Sequence, residues 1–285
     1  MPVWFRQDIP DKITLERQRF LSRLGIHTVC QETRCPNLNF CFKNLRLTFM
    51  ILGDICTRNC RFCHVQKLKK QQRLILDEDE PFRIARAVDI LGLNYVVITS
   101  VTRDDLEDGG AGIFSQTIKL IHRLNKDIKI EVLIPDFRGR IESLKCILDA
   151  SVNIVAHNIE TVKRLYKDLR PKADYELSLE ILAKVKELNK EVITKSSLML
   201  GLGESEEEVV TTMKDLRRSH CEILTLGQYL APSLEHYPVK EFISLEQFKR
   251  YKDIGLALGF KSVFSGPLVR SSYQAEEIYK YVASI

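Results

Sequence analysis

Six of the eight cysteines fall into two triplets. Cys30, Cys35 and Cys41 are spaced Cys-x4-Cys-x5-Cys, and Cys56, Cys60 and Cys63 are spaced Cys-x3-Cys-x2-Cys. Three thiolates on a short loop hold three irons of a cubane 4Fe-4S cluster and leave the fourth iron without a cysteine from that loop. An iron left open in this way can bind a substrate or a cofactor. Structural zinc is the competing reading, with His27 or His64 completing a triplet, but zinc ligands usually come as two pairs and neither triplet has that form. Disulfides fit less well, because no charged start, apolar run and small-residue cleavage site directs the chain to an oxidising compartment. Cys146 and Cys221 stand singly in apolar surroundings and read as core thiols.

The elements that must position these cysteines follow from the apolar pattern. From residue 48 onward, short apolar runs begin at Thr48, Tyr95, Lys129, Val152, Val192 and Glu222. Their length and β-branched content suit strands of a parallel sheet buried on both faces. Amphipathic stretches lie between them. Pro81 opens a helix striped by Ile84, Ala87, Val88 and Leu91 and closed by Gly92; Leu177, Ile181, Val185 and Leu188 stripe another; Ser205-Glu-Glu-Glu208 reads as a capping box. Six β-α units are too few for a closed eight-fold barrel. Polar residues gather where the runs end: Asp54, Ser100 to Asp105, Asp136, His157, Asn158 and Glu160. In β/α barrels that end carries the chemistry.

Composition sets outer limits. At 285 residues, with 45% hydrophobic and 28% charged content, the chain reads as a soluble globular protein. No apolar run approaches the roughly 20 residues that span a bilayer, and a dispersed net charge of +5 gives no support for nucleic-acid binding. These features predict a cytoplasmic protein without nucleic-acid or membrane partners. The densest basic run, Lys67 to Arg73, is followed by the acidic run Asp77 to Glu80. Both read as solvated loop, with a docking patch as the alternative.

The second triplet, Cys56-Thr-Arg-Asn-Cys60-Arg-Phe-Cys63, resembles the cluster loop of the radical S-adenosylmethionine (SAM) enzymes. Longer phrases resemble the lipoyl synthase family: His27-Thr-Val-Cys30, Arg34-Cys35-Pro-Asn37, Thr99-Ser-Val-Thr-Arg-Asp-Asp-Leu106, His157-Asn-Ile-Glu-Thr161, Leu200-Gly-Leu-Gly-Glu204 and Arg270-Ser271-Ser272-Tyr273. With others they span residues 27 to 275 in order. The chain departs from the family pattern at Gln66-Lys67-Leu68, where a Gly-x-Pro turn is usual, at Asn39-Phe40-Cys41-Phe42 and at Ser197.

The resemblance implies an α/β fold, a partial (β/α)6 barrel of TIM type with N- and C-terminal extensions covering its mouth. The boundaries expected are residues 1–47 for an extension carrying the auxiliary cluster, 48–261 for the barrel and 262–285 for a C-terminal extension. It further implies that Cys56, Cys60 and Cys63 hold a 4Fe-4S cluster whose open iron binds SAM, with Thr102, Asp104, Asn158 and Glu160 as candidate SAM contacts. Cys30, Cys35 and Cys41 would hold a second 4Fe-4S cluster that donates sulfur, with Ser272, or failing it Ser271, as fourth ligand. The implied reaction inserts two sulfurs, at the sixth and eighth carbons of an octanoyl-lysine on a carrier domain of a 2-oxo acid dehydrogenase complex or the glycine cleavage H protein. Electrons would come from a flavodoxin or ferredoxin. Two alternatives remain: another sulfur-inserting radical SAM enzyme resembling biotin synthase, whose second cluster would lie inside the barrel, and a non-catalytic iron-sulfur or zinc module.

Overall fold

The computed structural model describes residues 9–285, so the first eight residues of the expected 1–47 extension lie outside the described part. The chain folds as two compact units, one built from residues 9–58 and 64–153, the other from 59–63 and 154–285.

In the first unit, helix α1 (Lys12–Arg23) starts at Asp11, whose carboxylate accepts the Thr14 amide. Strand β1 (His27–Thr28) runs into two short helices, α2 (Val29–Glu32) and α3 (Leu38–Lys43). Strand β2 (Thr48–Ile51) follows, then the short parallel pair β3 (Ile55–Cys56) and β4 (Gln66–Lys67). Helix α4 (Glu80–Ile90) leads to β5 (Tyr95–Ser100), α5 (Ala111–Leu124) to β6 (Lys129–Leu133), and α6 (Ile141–Leu148) ends the unit. β1 pairs antiparallel with β2, while β2, β5 and β6 are parallel neighbours. Phe49, Ile51, Ile98, Ile130 and Val132 are fully buried between sheet and helices. Each such side chain contributes about 1.5–3 kcal/mol over an exposed one. The predicted α4 stripe holds, with Ile84, Ala87 and Val88 inward and Pro81 in the first turn.

In the second unit, β7 (Ile154–Ala156) and the short α7 (Tyr166–Leu169) precede α8 (Tyr175–Leu188), β8 (Ile193–Leu200), α9 (Glu206–Arg218) and β9 (Ile223–Gln228). Then come α10 (Leu245–Ala257), β10 (Ser262–Gly266) and α11 (Ala275–Ala283). β7, β8, β9 and β10 are parallel in that order. α9 opens on the capping box read from the sequence: Ser205 Oγ accepts the Glu208 amide, and Glu208 accepts the Ser205 amide. All six expected strands form. β10 is an additional one; Ser262-Val-Phe-Ser-Gly266 is too polar to give the continuous apolar signal that marked the others.

Candidate active site

The first triplet is gathered by two helical turns. Cys30 lies in α2 and Cys41 in α3, both buried, and Cys35 sits in the turn between them. The Cys35 amide donates to Cys30 O at 3.1 Å, which folds the turn back on α2, and Arg34 takes a left-handed φ of 53° to allow it. The thiols of Cys35 and Cys41 reach the Cys30 thiol and, with burial, push its pKa well up. Three soft donors gathered within a short stretch, two of them buried and Cys35 half-buried, suit a metal cluster, whose positive charge replaces the thiol protons. His27 is engaged elsewhere, its Nδ1 lying 2.9 Å from Glu32 Oε1.

Cys56 is set by the backbone around it. Its sulfur accepts the amides of Arg58 and Thr102, each at 3.4 Å. N–H groups aimed at sulfur favour a thiolate ligand and tune a bound iron-sulfur centre. The loop is then pinned to the end of β5: the Thr57 amide donates to Thr102 O at 3.0 Å, and the Asp104 amide donates to Thr57 Oγ1 at 3.0 Å.

Arg58 completes the clamp. It is 7% exposed and binds two carboxylates. Nε and Nη2 donate to Asp104 at 3.0 and 3.1 Å, and Nη1 and Nη2 donate to Asp136 at 2.5 and 2.6 Å. Burial opposes its charge, but Asp136 and Asp104 more than offset that and raise its pKa. Burial likewise works against the Asp104 carboxylate, and the Arg58 and Arg138 charges hold its pKa below the ordinary value. Arg58 was not singled out from the sequence, because its partners lie 46 and 78 residues away.

The second unit holds the other predicted site residues. Cys60 and Cys63 share a tight turn, the Cys63 amide donating to Cys60 O at 3.2 Å. Arg61 between them anchors the turn, its amide donating to Leu169 O and its carbonyl accepting from the Tyr237 amide. After β7, the Asn158 side chain is spanned on both sides: Ser271 Oγ donates to its Oδ1 at 2.9 Å, and its Nδ2 donates to Glu160 Oε1 at 3.0 Å. Glu160 takes a φ of 65°, a strained conformation for a residue with a Cβ and one that clusters at functional sites. Burial pushes its carboxyl up, with Arg170 and Asn158 opposing. Of the lone cysteines, Cys221 is buried and Cys146 only half-buried.

Comparison with known proteins places this geometry in a class. The sequence matches the Radical SAM superfamily over residues 50–216. The fold matches the crystal structure of HydG, a maturase of the [FeFe]-hydrogenase, with a TM-score of 0.61 at 16% identity over 82% of this chain. It also matches methylornithine synthase (PylB), with a TM-score of 0.57 at 16% identity over 75% of this chain. The chain spans 54% and 62% of those two proteins, a likeness of fold alone. The fold is therefore the α/β partial barrel of radical SAM proteins, and the family implies a 4Fe-4S cluster and SAM.

The lipoyl synthase of Caldanaerobacter subterraneus subsp. tengcongensis is 52% identical over 275 residues, 96% of this chain and 95% of that protein. That of Geotalea daltonii is 48% identical over 96% of this chain and 92% of its own length. The chain belongs to the lipoyl synthase family and is an enzyme of the sulfur-inserting radical SAM type. Among the described residues, no helix is long and apolar enough to cross a membrane.

Proposed function

We propose that the chain makes the lipoyl group by inserting sulfur at the sixth and eighth carbons of an octanoyl chain held on a carrier-domain lysine. The observation that carries this reading is the gathering of the Cys35 and Cys41 thiols on the buried Cys30 thiol ahead of β2. A biotin-synthase-like enzyme would hold its second cluster inside the barrel instead, and a zinc or redox module needs no barrel at all.

When bound, the SAM cluster and SAM supply a carbon radical strong enough to take hydrogen from an unactivated C–H bond, and the auxiliary cluster supplies sulfur, chemistry no side-chain acid or base can perform. The chain's own residues hold and orient these groups. Cys56, Cys60 and Cys63 ligate the first cluster. Arg58, fixed by Asp104 and Asp136, sets the loop between Cys56 and Cys60. Thr102 and Asp104 in the first unit, and Asn158 and Glu160 in the second, are the proposed contacts to SAM, each hydrogen-bonded within its own unit. Cys30, Cys35 and Cys41 ligate the second cluster, and Ser272 supplies its fourth ligand. Ser271, whose hydroxyl donates to Asn158 Oδ1 at 2.9 Å, is the fallback for that place. A serine oxygen is a harder ligand than thiolate and less matched to a soft iron-sulfur centre, so Ser272 would hold its iron less firmly than a cysteine would.

Residues 1–47 serve in this reading as the extension that carries the sulfur-donating cluster, with 48–261 as the barrel and 262–285 as the segment bearing the serines. The partners are the octanoylated carrier domain and a low-potential electron donor, and the setting is the cytoplasm. The test is iron and acid-labile sulfide content after anaerobic reconstitution. Two cubanes give about eight irons per chain, falling to about four when either triplet is changed to alanine. Stoichiometric zinc, or four irons in the unaltered chain, would overturn it.

A further inference from the structure

The run Lys67 to Arg73 carries four cations, and residues 64–76 contain no carboxylate to balance them. Lys67, Lys69, Lys70 and Arg73 are all exposed, and none makes an ion pair among the described residues. Two carboxylates of the acidic run that follows are engaged by other groups, while Glu78 and Asp79 are exposed. Asp77 binds Arg83 at 2.6 Å, and buried Glu80 accepts the amides of Leu52 and Gly53 at 2.6 and 3.2 Å. Beside the cations, Ile75 is 89% exposed, an apolar side chain available to a partner.

The position of the run singles out one partner. Lys67 is the register partner of Cys56 in the β3–β4 pair, and the Leu68 amide donates to Cys56 O at 2.9 Å. Anything docked on this strand is one hydrogen bond from the backbone of a proposed cluster ligand. We infer that Lys67, Lys69, Lys70 and Arg73 form the docking surface for a carboxylate-rich one-electron carrier protein of flavodoxin or ferredoxin type. This rests on the proposed function for the electron's destination. In the step it serves, the reduced carrier loses one electron and the cluster held through Cys56 gains it; no bond or proton moves. Surface cations of this kind act through long-range attraction and encounter rate, so their effect fades with salt.

The test uses the reconstituted enzyme and an acidic flavodoxin. Binding of oxidised flavodoxin is titrated at about 20 mM and about 300 mM salt, for the wild type and for the Lys67→Gln, Lys69→Gln, Lys70→Gln, Arg73→Gln quadruple variant. The variant should bind roughly tenfold more weakly at low salt, with the difference closing at high salt. Its thermal midpoint and its reduction by the cationic one-electron donor methyl viologen should stay as in the wild type. Equal flavodoxin affinity at low salt overturns the inference. So does a loss confined to the octanoylated carrier domain, or to vesicles of anionic phospholipid, with flavodoxin unaffected. Failure of methyl viologen to reduce even the wild type would count against the cluster assignment, while the binding titration still decides the docking surface.

Discussion

Arg58 shows how much a single buried charge settles in this protein. Its guanidinium stands between Asp104 and Asp136, and its own amide donates to Cys56 Sγ. Removing the cation leaves buried Asp136 without its charge partner and Asp104 with Arg138 alone, and losing one partner of a buried pair costs about 3–5 kcal/mol. Arg58→Met is therefore expected to lower unfolding stability by about 3 kcal/mol and to reduce 5'-deoxyadenosine formation per cluster. Asp136→Asn in the same chain should restore part of the stability by removing the uncompensated charge. Unfolding titrations check the first statement, and product formation normalised to bound iron checks the second. Arg58→Lys keeps the charge but loses the paired donors, so it should fall between the two. The role of Arg58 was not legible in the sequence. Cysteine spacing is a local, covalent signal that survives without the fold, whereas the clamp exists only once chain segments 46 and 78 residues away are brought in. Asp104 and Asn158 were visible as polar strand-end residues, but not as groups already engaged by Arg58 and Ser271.

The strands that read clearly from the sequence were those buried on both faces, such as β2 and β9, every residue of which is buried. β10 stayed hidden because its Ser262, Ser265 and Gly266 break the apolar run. Its neighbour β9 nonetheless decides how the chain reaches the Arg-Ser-Ser-Tyr segment. Gly227 on β9 lies so close to the following turn that a Cβ there would stand 2.0 Å from Val269 O and 3.3 Å from Arg270 Nη1. Gly227→Ala must push residues 267–270 outward. The expected cost is about 1–3 kcal/mol, accompanied by a larger fall in lipoyl formation than in 5'-deoxyadenosine release, since Ser271 and Ser272 follow that turn. A thermal melt together with the ratio of the two products measures this. Equal losses in both products would mean that the turn matters only for folding. The helix caps were more accessible to sequence reasoning: Ser205 and Glu208 form their box within four residues, a contact chain proximity alone makes probable.

At the scale of the whole molecule, the family was legible from two cysteine triplets and a string of short phrases, and 52% identity along 96% of the chain agrees with it. The central claim is a division of labour, in which one triplet serves the radical and the other supplies the sulfur. It separates two products that a single-cluster enzyme could not separate. The most direct test replaces Cys30, Cys35 and Cys41 together with alanine and follows one turnover on an octanoylated carrier peptide by mass spectrometry. 5'-Deoxyadenosine should still form while the peptide gains no sulfur. Lipoyl peptide from this variant would contradict the account.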